Sequence, residues 1–276
     1  MSMAVAAVAV RRSYLFVPGN RPDRYDKACA TRAHVVIVDL EDAVPSGDKP
    51  SARESLRRWL QPGRPVFVRV NAVDTEWFDD DVAICAQAGV AGILLPKAER
   101  VDDVNRVADA CPGAPILPLV ETAQGLWNAL PIAQARGVQA LLFGSLDFQA
   151  DTGISDDDLL YARSHLVIAS RVASIAAPVD GVTQVLDDAE LLRRDCCRSR
   201  QLGFGGKACI HPNQVDIVNA TFAPSAEDVD WARRVVGAFE QASGRAVQLD
   251  GRMIDRPVLL KAQAILAERV GNAAGD

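Results

Sequence analysis

Short apolar runs alternate with longer amphipathic segments along most of the chain. The runs are rich in Val, Ile and Leu and end in Gly, Pro or a charged residue; they are SYLFVPG, HVVIVDLED, VFVRVN, AGILLPK, ILPLVET, ALLFGSLD, APVDGV and GGKACIHP. The segments between them, such as DDVNRVADA and DDLLYARSHLVIASRVASIA, carry apolar residues at the three- and four-residue spacing of helices. This alternation predicts an α/β fold with a parallel sheet. Eight such strand–helix units favour a closed (β/α)8 TIM barrel over an open doubly wound sheet.

The C-terminal segment has a different pattern. RAVQLDGRMIDRP places Asp250 and Gly251 between two short runs, which is typical of a tight β-hairpin turn. Pro257 then marks the start of a helix over VLLKAQAIL. We therefore expect a barrel over residues 12–222 and a C-terminal hairpin–helix lid extension over residues 223–276.

Charged side chains recur at the predicted strand ends. They are Glu41, Asp42, Arg69, Lys97, Glu121 and Asp147. Active sites of TIM barrels lie at the C-terminal ends of the strands, so these scattered residues are expected to converge. Any one of them could instead cap a helix or form an ion pair, but the whole set favours a functional site.

Composition narrows the possible partners and location. A net charge of −6 and a pI of about 5.2 argue against nucleic-acid binding through a basic surface, which favours a small-molecule substrate. The six cysteines contain no C-x-x-C pair and are expected to be reduced thiols. The first residues, MSMAVAAVAVRR, place apolar residues before the arginines, the reverse of a secretory signal, and no later run is long enough to span a membrane. We expect a cytoplasmic protein.

An ordered set of motifs resembles a known family over roughly residues 12 to 268. The motifs are LFVPGNRPDRYDKA, VDLEDAVPSGDKPSAR, VFVRVN, GILLPKAE, PLVETAQG, FGSLDF, LGFGGKACIHPNQ and GRMIDRP. Together they are similar to those of the HpcH/HpaI aldolase and citrate lyase beta-subunit family. The resemblance implies a magnesium-dependent carbon–carbon lyase that acts on an acyl-CoA thioester.

Two carboxylates are candidate metal ligands. Neighbouring parallel strands lie about 4.8 Å apart, so Glu121 and Asp147, at the ends of the fifth and sixth runs, can reach one small ion. Mg²⁺ suits this pair, because it is often held by only one or two protein carboxylates. Family members are similar, with a Glu in VET and an Asp in FG-x-x-D as ligands. Three scattered histidines make zinc the weaker alternative.

The resemblance also implies catalytic roles. Arg69 would stabilise the enolate that forms when a 3-hydroxyacyl thioester is cleaved, and an ion pair with Glu41 would be compatible with that role. Glu41 and Asp42 would then order water or hold the guanidinium. Asp255 would be a general acid/base acting in the site of a neighbouring subunit, which implies a homo-oligomer, by family likeness a trimer. Its alternative role is to cap the C-terminal helix.

The segment GNRPDRYDKA contains three basic residues, Arg21, Arg24 and Lys27. Family members approach the nucleotide part of coenzyme A at this segment, so the resemblance implies that these residues bind it.

The predicted reaction is cleavage of a citryl-, malyl- or citramalyl-CoA type thioester to acetyl-CoA and a 2-oxo acid, or the reverse reaction with hydrolysis. The alternatives are a metal-dependent pyruvate aldolase acting on free acids, a subunit that works only in an acyl-carrier citrate lyase complex, and a degenerate barrel that serves as a binding protein.

Overall fold

The computed structural model describes residues 10–155, 159–242 and 244–273. The first residues of the chain and the start of DDLLYARSHLVIASRVASIA lie outside the described residues. Eight parallel strands close into a barrel in chain order, and the eighth pairs with the first. They are β1 (Ser13–Pro18), β2 (Val35–Asp39), β3 (Val66–Arg69), β4 (Val90–Leu95), β5 (Ile116–Val120), β6 (Leu142–Phe143), β7 (Val179–Asp180) and β8 (Gly206–Cys209). The predicted TIM barrel is confirmed.

Helices connect the strands on the outside. They are α1 (Tyr25–Cys29), α2 (Lys49–Trp59), α3 (Phe78–Cys85), α4 (Val101–Ala110), α5 (Ala123–Trp127), α6 (Ala129–Ala133), α7 (Ser145–Thr152), α8 (Leu160–Val172), α9 (Ala189–Leu202) and α10 (Pro212–Phe222). Short 3-10 turns at Pro22–Arg24 and Ser46–Asp48 precede α1 and α2. No helix in the described part of the chain is long and apolar enough to cross a membrane.

Successive side chains along each strand point to opposite faces, so the barrel has an inner and an outer apolar layer. In β2, Ile37 packs inside the barrel, while Val36 and Val38 pack between strands and helices. Phe67 fills the interior, and this requires a glycine on the next strand, because a Cβ on Gly92 would lie 2.1 Å from the Phe67 ring. The strands can therefore carry apolar residues on both faces without alternation of polarity.

The sixth strand is shorter than the sequence indicated. It covers only Leu142–Phe143, and Ser145 already begins α7. The expectation that Asp147 ends a strand is therefore wrong, because it lies in the first turn of that helix. A helix that begins directly after the strand still presents its first turn at the C-terminal end of the barrel.

Residues Arg11–Phe222 form one compact unit, and the chain from Ala223 onward belongs to another. The second unit contains α11 (Ala226–Gln241), the hairpin strands β9 (Val247–Leu249) and β10 (Arg252–Ile254), and α12 (Arg256–Ala273). The hairpin was predicted, and both of its turn residues, Asp250 and Gly251, have positive φ. Its core is formed by Ala232, Val235, Ile254 and Ala262.

Candidate active site

A cavity of about 430 Å³ opens at the C-terminal ends of the barrel strands. Its polar lining includes Asp39, Asp42, Arg69, Glu121, Ser145 and Asp147. Its apolar lining includes Phe16, Leu119, Leu142, Val182 and Ala208. Most of the charged residues predicted from the strand ends are thus brought to one cavity, as the fold requires.

Arg69 is held by a carboxylate that the sequence analysis did not select. Its Nε and one terminal nitrogen donate to the two oxygens of Asp39 at 2.7 and 2.6 Å, a bidentate arrangement between the ends of β3 and β2. The same carboxylate accepts from the backbone nitrogens of Glu41 (2.9 Å) and Ala43 (3.2 Å). Asp39 therefore fixes both the guanidinium and the turn that follows β2.

The other side of the guanidinium faces two more acids. The remaining terminal nitrogen of Arg69 lies 3.0 Å from Glu41 and 3.5 Å from Asp42, so the predicted ion pair with Glu41 is present. Burial alone would lower the pKa of Arg69, but attraction to Asp39, Glu41 and Asp42 raises it above its ordinary value. The ring of Phe16 lies 5.3 Å from the guanidinium carbon. Arg69 is a permanently charged and rigidly placed donor.

Glu121, at the end of β5, has one oxygen bound and one free. Its Oε1 accepts from the backbone nitrogen of Lys97 at 2.7 Å, whereas Oε2 is buried and has no hydrogen-bond partner among the described residues. Burial raises the pKa of Glu121 to about 8; the Lys97 hydrogen bond opposes the increase, and the charges of Glu41 and Asp147 add to it. A buried carboxylate oxygen without a partner is costly unless a cation or a proton joins it.

Asp147, in the first turn of α7, lines the same cavity as Glu121. The backbone between β6 and α7 lies close to the glutamate. A Cβ on Gly144 would lie 2.5 Å from the Glu121 Cβ and 2.7 Å from its free oxygen. Among the described residues, no group of three or more His, Cys, Asp and Glu side chains could hold a metal ion. Two carboxylates with an unpartnered oxygen fit a hard cation that keeps several positions for water and substrate oxygens.

Glu41 is buried between two cations. Its Oε1 accepts from the Lys97 ammonium at 3.2 Å, and its Oε2 forms the ion pair with Arg69 without hydrogen-bond geometry. The turn that carries Glu41 is held from behind by Lys49 on α2. The buried ammonium of Lys49 donates to the carbonyls of Leu40 (3.0 Å) and Glu41 (2.8 Å) and to the side chain of Asn71 (2.6 Å). Sequence reasoning also missed Lys49, although VPSGDKPSAR directly follows the acidic strand end.

The predicted basic residues lie together in a second cavity. Arg21, Arg24 and Lys27 line a space of about 480 Å³ that also includes His211. Phe16, Pro18 and Ile210 line both cavities, so the basic space adjoins the acidic one. Arg21 is partly neutralised by Asp23 at 3.0 Å, while no pairing partner is recorded for Lys27 in the described structure.

Asp255 belongs to the C-terminal unit and immediately precedes α12. Its backbone oxygen accepts from Leu259, and its side chain lies 3.5 Å from the Val258 nitrogen, at the limit of a hydrogen bond. This is a weak capping contact. The role of Asp255 in a neighbouring site stays a prediction.

Comparison with known proteins shows the family of the chain. The family model described as HpcH/HpaI aldolase/citrate lyase matches residues 12–212, which includes the whole set of barrel strands. The chain belongs to this family. A second model, described as a C-C bond lyase of the TIM-barrel fold, matches residues 160–269. The protein is an enzyme of the lyase type.

Similar proteins match over nearly their whole length. A (3S)-malyl-CoA thioesterase of Cereibacter sphaeroides (strain ATCC 17025) is 37% identical, covering 93% of this chain and 96% of the relative. The citrate lyase subunit beta of Leuconostoc mesenteroides subsp. cremoris is 33% identical, covering 93% and 92%. The crystal structure of CitE from Mycobacterium tuberculosis in complex with magnesium, acetoacetate and coenzyme A has a TM-score of 0.84 and 35% identity, covering 94% and 98%.

Proposed function

We propose that this family member is a Mg²⁺-dependent lyase that cleaves a 3-hydroxyacyl-CoA thioester of the citryl-, malyl- or citramalyl-CoA type. The products are acetyl-CoA and a 2-oxo acid. The observation that carries the proposal is the placement of Glu121 and Asp147 beside Arg69 on one cavity, with a basic cavity next to it. The magnesium and coenzyme A in the similar CitE structure support it.

Glu121 and Asp147 would hold the ion, and Oε2 of Glu121 has no other partner among the described residues. When bound, Mg²⁺ supplies Lewis-acid polarisation of the oxygens of the 2-oxo acid portion. The walls of the cavity are mostly apolar, and apolar surroundings strengthen the interactions of these charges. The glycine at position 144 keeps the path to Glu121 open.

Arg69 would stabilise the developing negative charge on the thioester oxygen. Cleavage of the bond between C2 and C3 leaves an enolate on the acetyl portion, while the C3 hydroxyl loses its proton and becomes the carbonyl of the 2-oxo acid. Because Asp39 already fixes the guanidinium, little reorganisation is needed as the charge forms. Glu41 and Asp42 complete the fixation from the other side.

The C3 hydroxyl needs a base and the enolate carbon needs an acid, and we assign both roles to Asp255 of a neighbouring chain, which takes the hydroxyl proton and returns it to the carbon. The enzyme would then be a homo-oligomer, by family likeness a trimer, in which each site uses two chains. Arg21, Arg24 and Lys27 would bind the phosphates of coenzyme A, because the cavity that they line adjoins the acidic one. The free cysteines of the described structure support a cytoplasmic location.

Two other functions have specific support. The thioesterase relative favours hydrolysis of the thioester to a hydroxy acid and free CoA. The Leuconostoc relative, a citrate lyase subunit, favours action on an acyl-carrier thioester inside a complex. A pyruvate aldolase acting on free acids is less well supported, because it would leave the basic cavity without a ligand.

A panel of acyl-CoA thioesters tests these functions. With Mg²⁺ present, a lyase releases 2-oxo acid without free thiol, whereas a thioesterase releases thiol without 2-oxo acid. Both products are measured in the same reaction, with Glu121→Gln protein as the control. We expect release of 2-oxo acid and no release of free thiol. Release of thiol alone would identify a thioesterase instead of a lyase. Inactivity on every CoA thioester, together with activity on the acyl-carrier thioester, would identify a subunit of a citrate lyase complex.

A further inference from the structure

Lys97 has a backbone conformation that lysine rarely adopts. Its φ is +47°, in the left-handed region, and only Pro96 separates it from the end of β4. The chain is fixed on both sides, because Leu95 pairs with Pro118 of β5 and the Ala98 nitrogen donates to the Leu119 oxygen at 3.1 Å. Strain of this kind persists only where its surroundings impose it, and it is concentrated at functional sites.

The strained backbone binds one oxygen of Glu121. The Lys97 N–H donates to Glu121 Oε1 at 2.7 Å, and Oε2 has no partner in the part of the chain that the structure describes. Because both flanking segments are fixed, the direction of this N–H depends on the left-handed conformation. The backbone of Lys97 thus determines which Glu121 oxygen is available to a cation.

The side chain of the same residue binds the other buried glutamate. The ammonium lies 3.2 Å from Glu41 Oε1, and Arg69 lies 3.0 Å from Glu41 Oε2. Both Glu41 oxygens therefore face a cation. Two buried glutamates at the same end of the barrel consequently differ: Glu121 has a free oxygen, and Glu41 has none.

We propose that Lys97 is a positioning residue that selects Glu121, and excludes Glu41, as a ligand of the divalent cation. The amide and the ammonium perform separate parts of this selection. The proposal rests on the Mg²⁺ site proposed above. It predicts that removal of the ammonium alone makes the site bind Mg²⁺ more tightly and work less well, because Glu41 then occupies a position that substrate oxygens need.

The ammonium is tested with Lys97→Asn, since asparagine tolerates the left-handed conformation. Calorimetric titration with Mg²⁺ alone should show binding about threefold to tenfold tighter than in the wild type, because a positive charge has been removed and Glu41 Oε1 no longer faces an ammonium, while Arg69 still holds Oε2. The kcat should fall. Lys97→Arg restores the charge and should return the Mg²⁺ affinity towards the wild-type value. Damage to the fold would weaken Mg²⁺ binding, so these opposite changes identify positioning.

The amide is tested with Lys97→Val, which also lacks the ammonium but disfavours positive φ. Its Mg²⁺ affinity should be at least about fivefold weaker than that of Lys97→Asn, because the N–H no longer orients Glu121. Ser174 is the matched control: it too has positive φ (59°), follows α8 and does not line the cavity. Ser174→Val should lose comparable stability and bind Mg²⁺ normally. If Lys97→Val does not fold, Lys97→Ala replaces it in the same comparison.

The outcomes separate this inference from the proposed function. Wild-type protein that does not bind Mg²⁺ overturns the metal site itself and, with it, the role of Lys97. Wild-type binding with an unchanged or weaker affinity in Lys97→Asn overturns the ammonium's part. Equal affinities of the valine (or alanine) and asparagine variants overturn the amide's part.

Discussion

The guanidinium of Arg69 and the carboxylate of Asp39 form two parallel hydrogen bonds across neighbouring strand ends, at 2.7 and 2.6 Å. A fork of this kind needs two nitrogens in one plane, which lysine does not have. Charge alone would therefore not reproduce the placement of Arg69.

Replacement of Arg69 by lysine should lower kcat by about 100-fold, because a fixed donor to the developing enolate is lost. KM should change little. Steady-state kinetics on the substrate found in the thioester panel measures both constants. A normal kcat with a raised KM would show that Arg69 contributes to substrate binding and not to transition-state stabilisation.

Thermal stability should respond to pH through Glu121. Its folded pKa of about 8 lies above its ordinary value of 4.5, so the folded metal-free protein takes up a proton that the unfolded chain does not bind. The stabilisation that this bound proton provides is fully present below the unfolded pKa of 4.5 and is lost as the pH rises through about 8. Mg²⁺ replaces that proton, so the increase in Tm caused by Mg²⁺ should grow between about pH 5 and about pH 8.

Glu121→Gln is the control for this effect. It should remove most of the Mg²⁺-induced increase in Tm and its growth with pH, while the fold is retained. Differential scanning fluorimetry with Mg²⁺ or with EDTA measures both. An Mg²⁺-induced increase that does not depend on pH would contradict the role of Glu121 as a ligand.

Gly144→Ala should weaken Mg²⁺ binding by about tenfold or more, because the new Cβ would displace the Glu121 side chain. Calorimetry and Tm measurements on the same samples separate lost binding from lost stability. Gly237→Ala is the matched control, since a Cβ at this position in α11 would have no described residue within 4 Å. Equal Mg²⁺ affinities of the two variants would mean that Gly144 does not keep Glu121 in place.

Complementation tests the assignment of Asp255. A 1:1 mixture of Asp255→Ala and Glu121→Gln chains that reassembles at random should regain about a quarter of wild-type activity, since half of the barrels and half of the C-terminal units are intact. A chain with both substitutions, mixed with Asp255→Ala, supplies no intact Asp255 and should stay inactive. Mixed oligomers of the two single variants that form but remain inactive would favour the capping role beside Val258.

The barrel was predictable because each strand is a short apolar run followed by a helical pattern. The weak seventh run, APVDGV, yields only the two-residue strand Val179–Asp180, yet the order of elements left one place for it. Asp147 was predicted as a site residue, but on the wrong element. Periodicity does not reveal where a strand of two residues gives way to a helix.

The partners of the site residues were less predictable. The end of β2 is acidic and carries Asp39, Glu41 and Asp42. Only the register of β2 against β3 shows that Asp39 forms the bidentate contact with the Arg69 guanidinium. The positive φ of Lys97 leaves no mark in the sequence, because glycine or asparagine is the usual signal for that conformation. Both features depend on contacts between strands that are distant in the chain.

Phe16 forms part of the wall between the basic and acidic cavities and also lies against the guanidinium of Arg69. A ligand that moves this ring changes the surroundings of both spaces at once. Thermodynamic linkage makes the effect mutual. If binding of the nucleotide end of a thioester changes the affinity for the acyl end, binding of the acyl end changes the affinity for the nucleotide end by the same factor. Such coupling would let binding energy gained far from the reacting carbon be used to align it, so thioesters of shortened carriers should lose turnover as well as affinity.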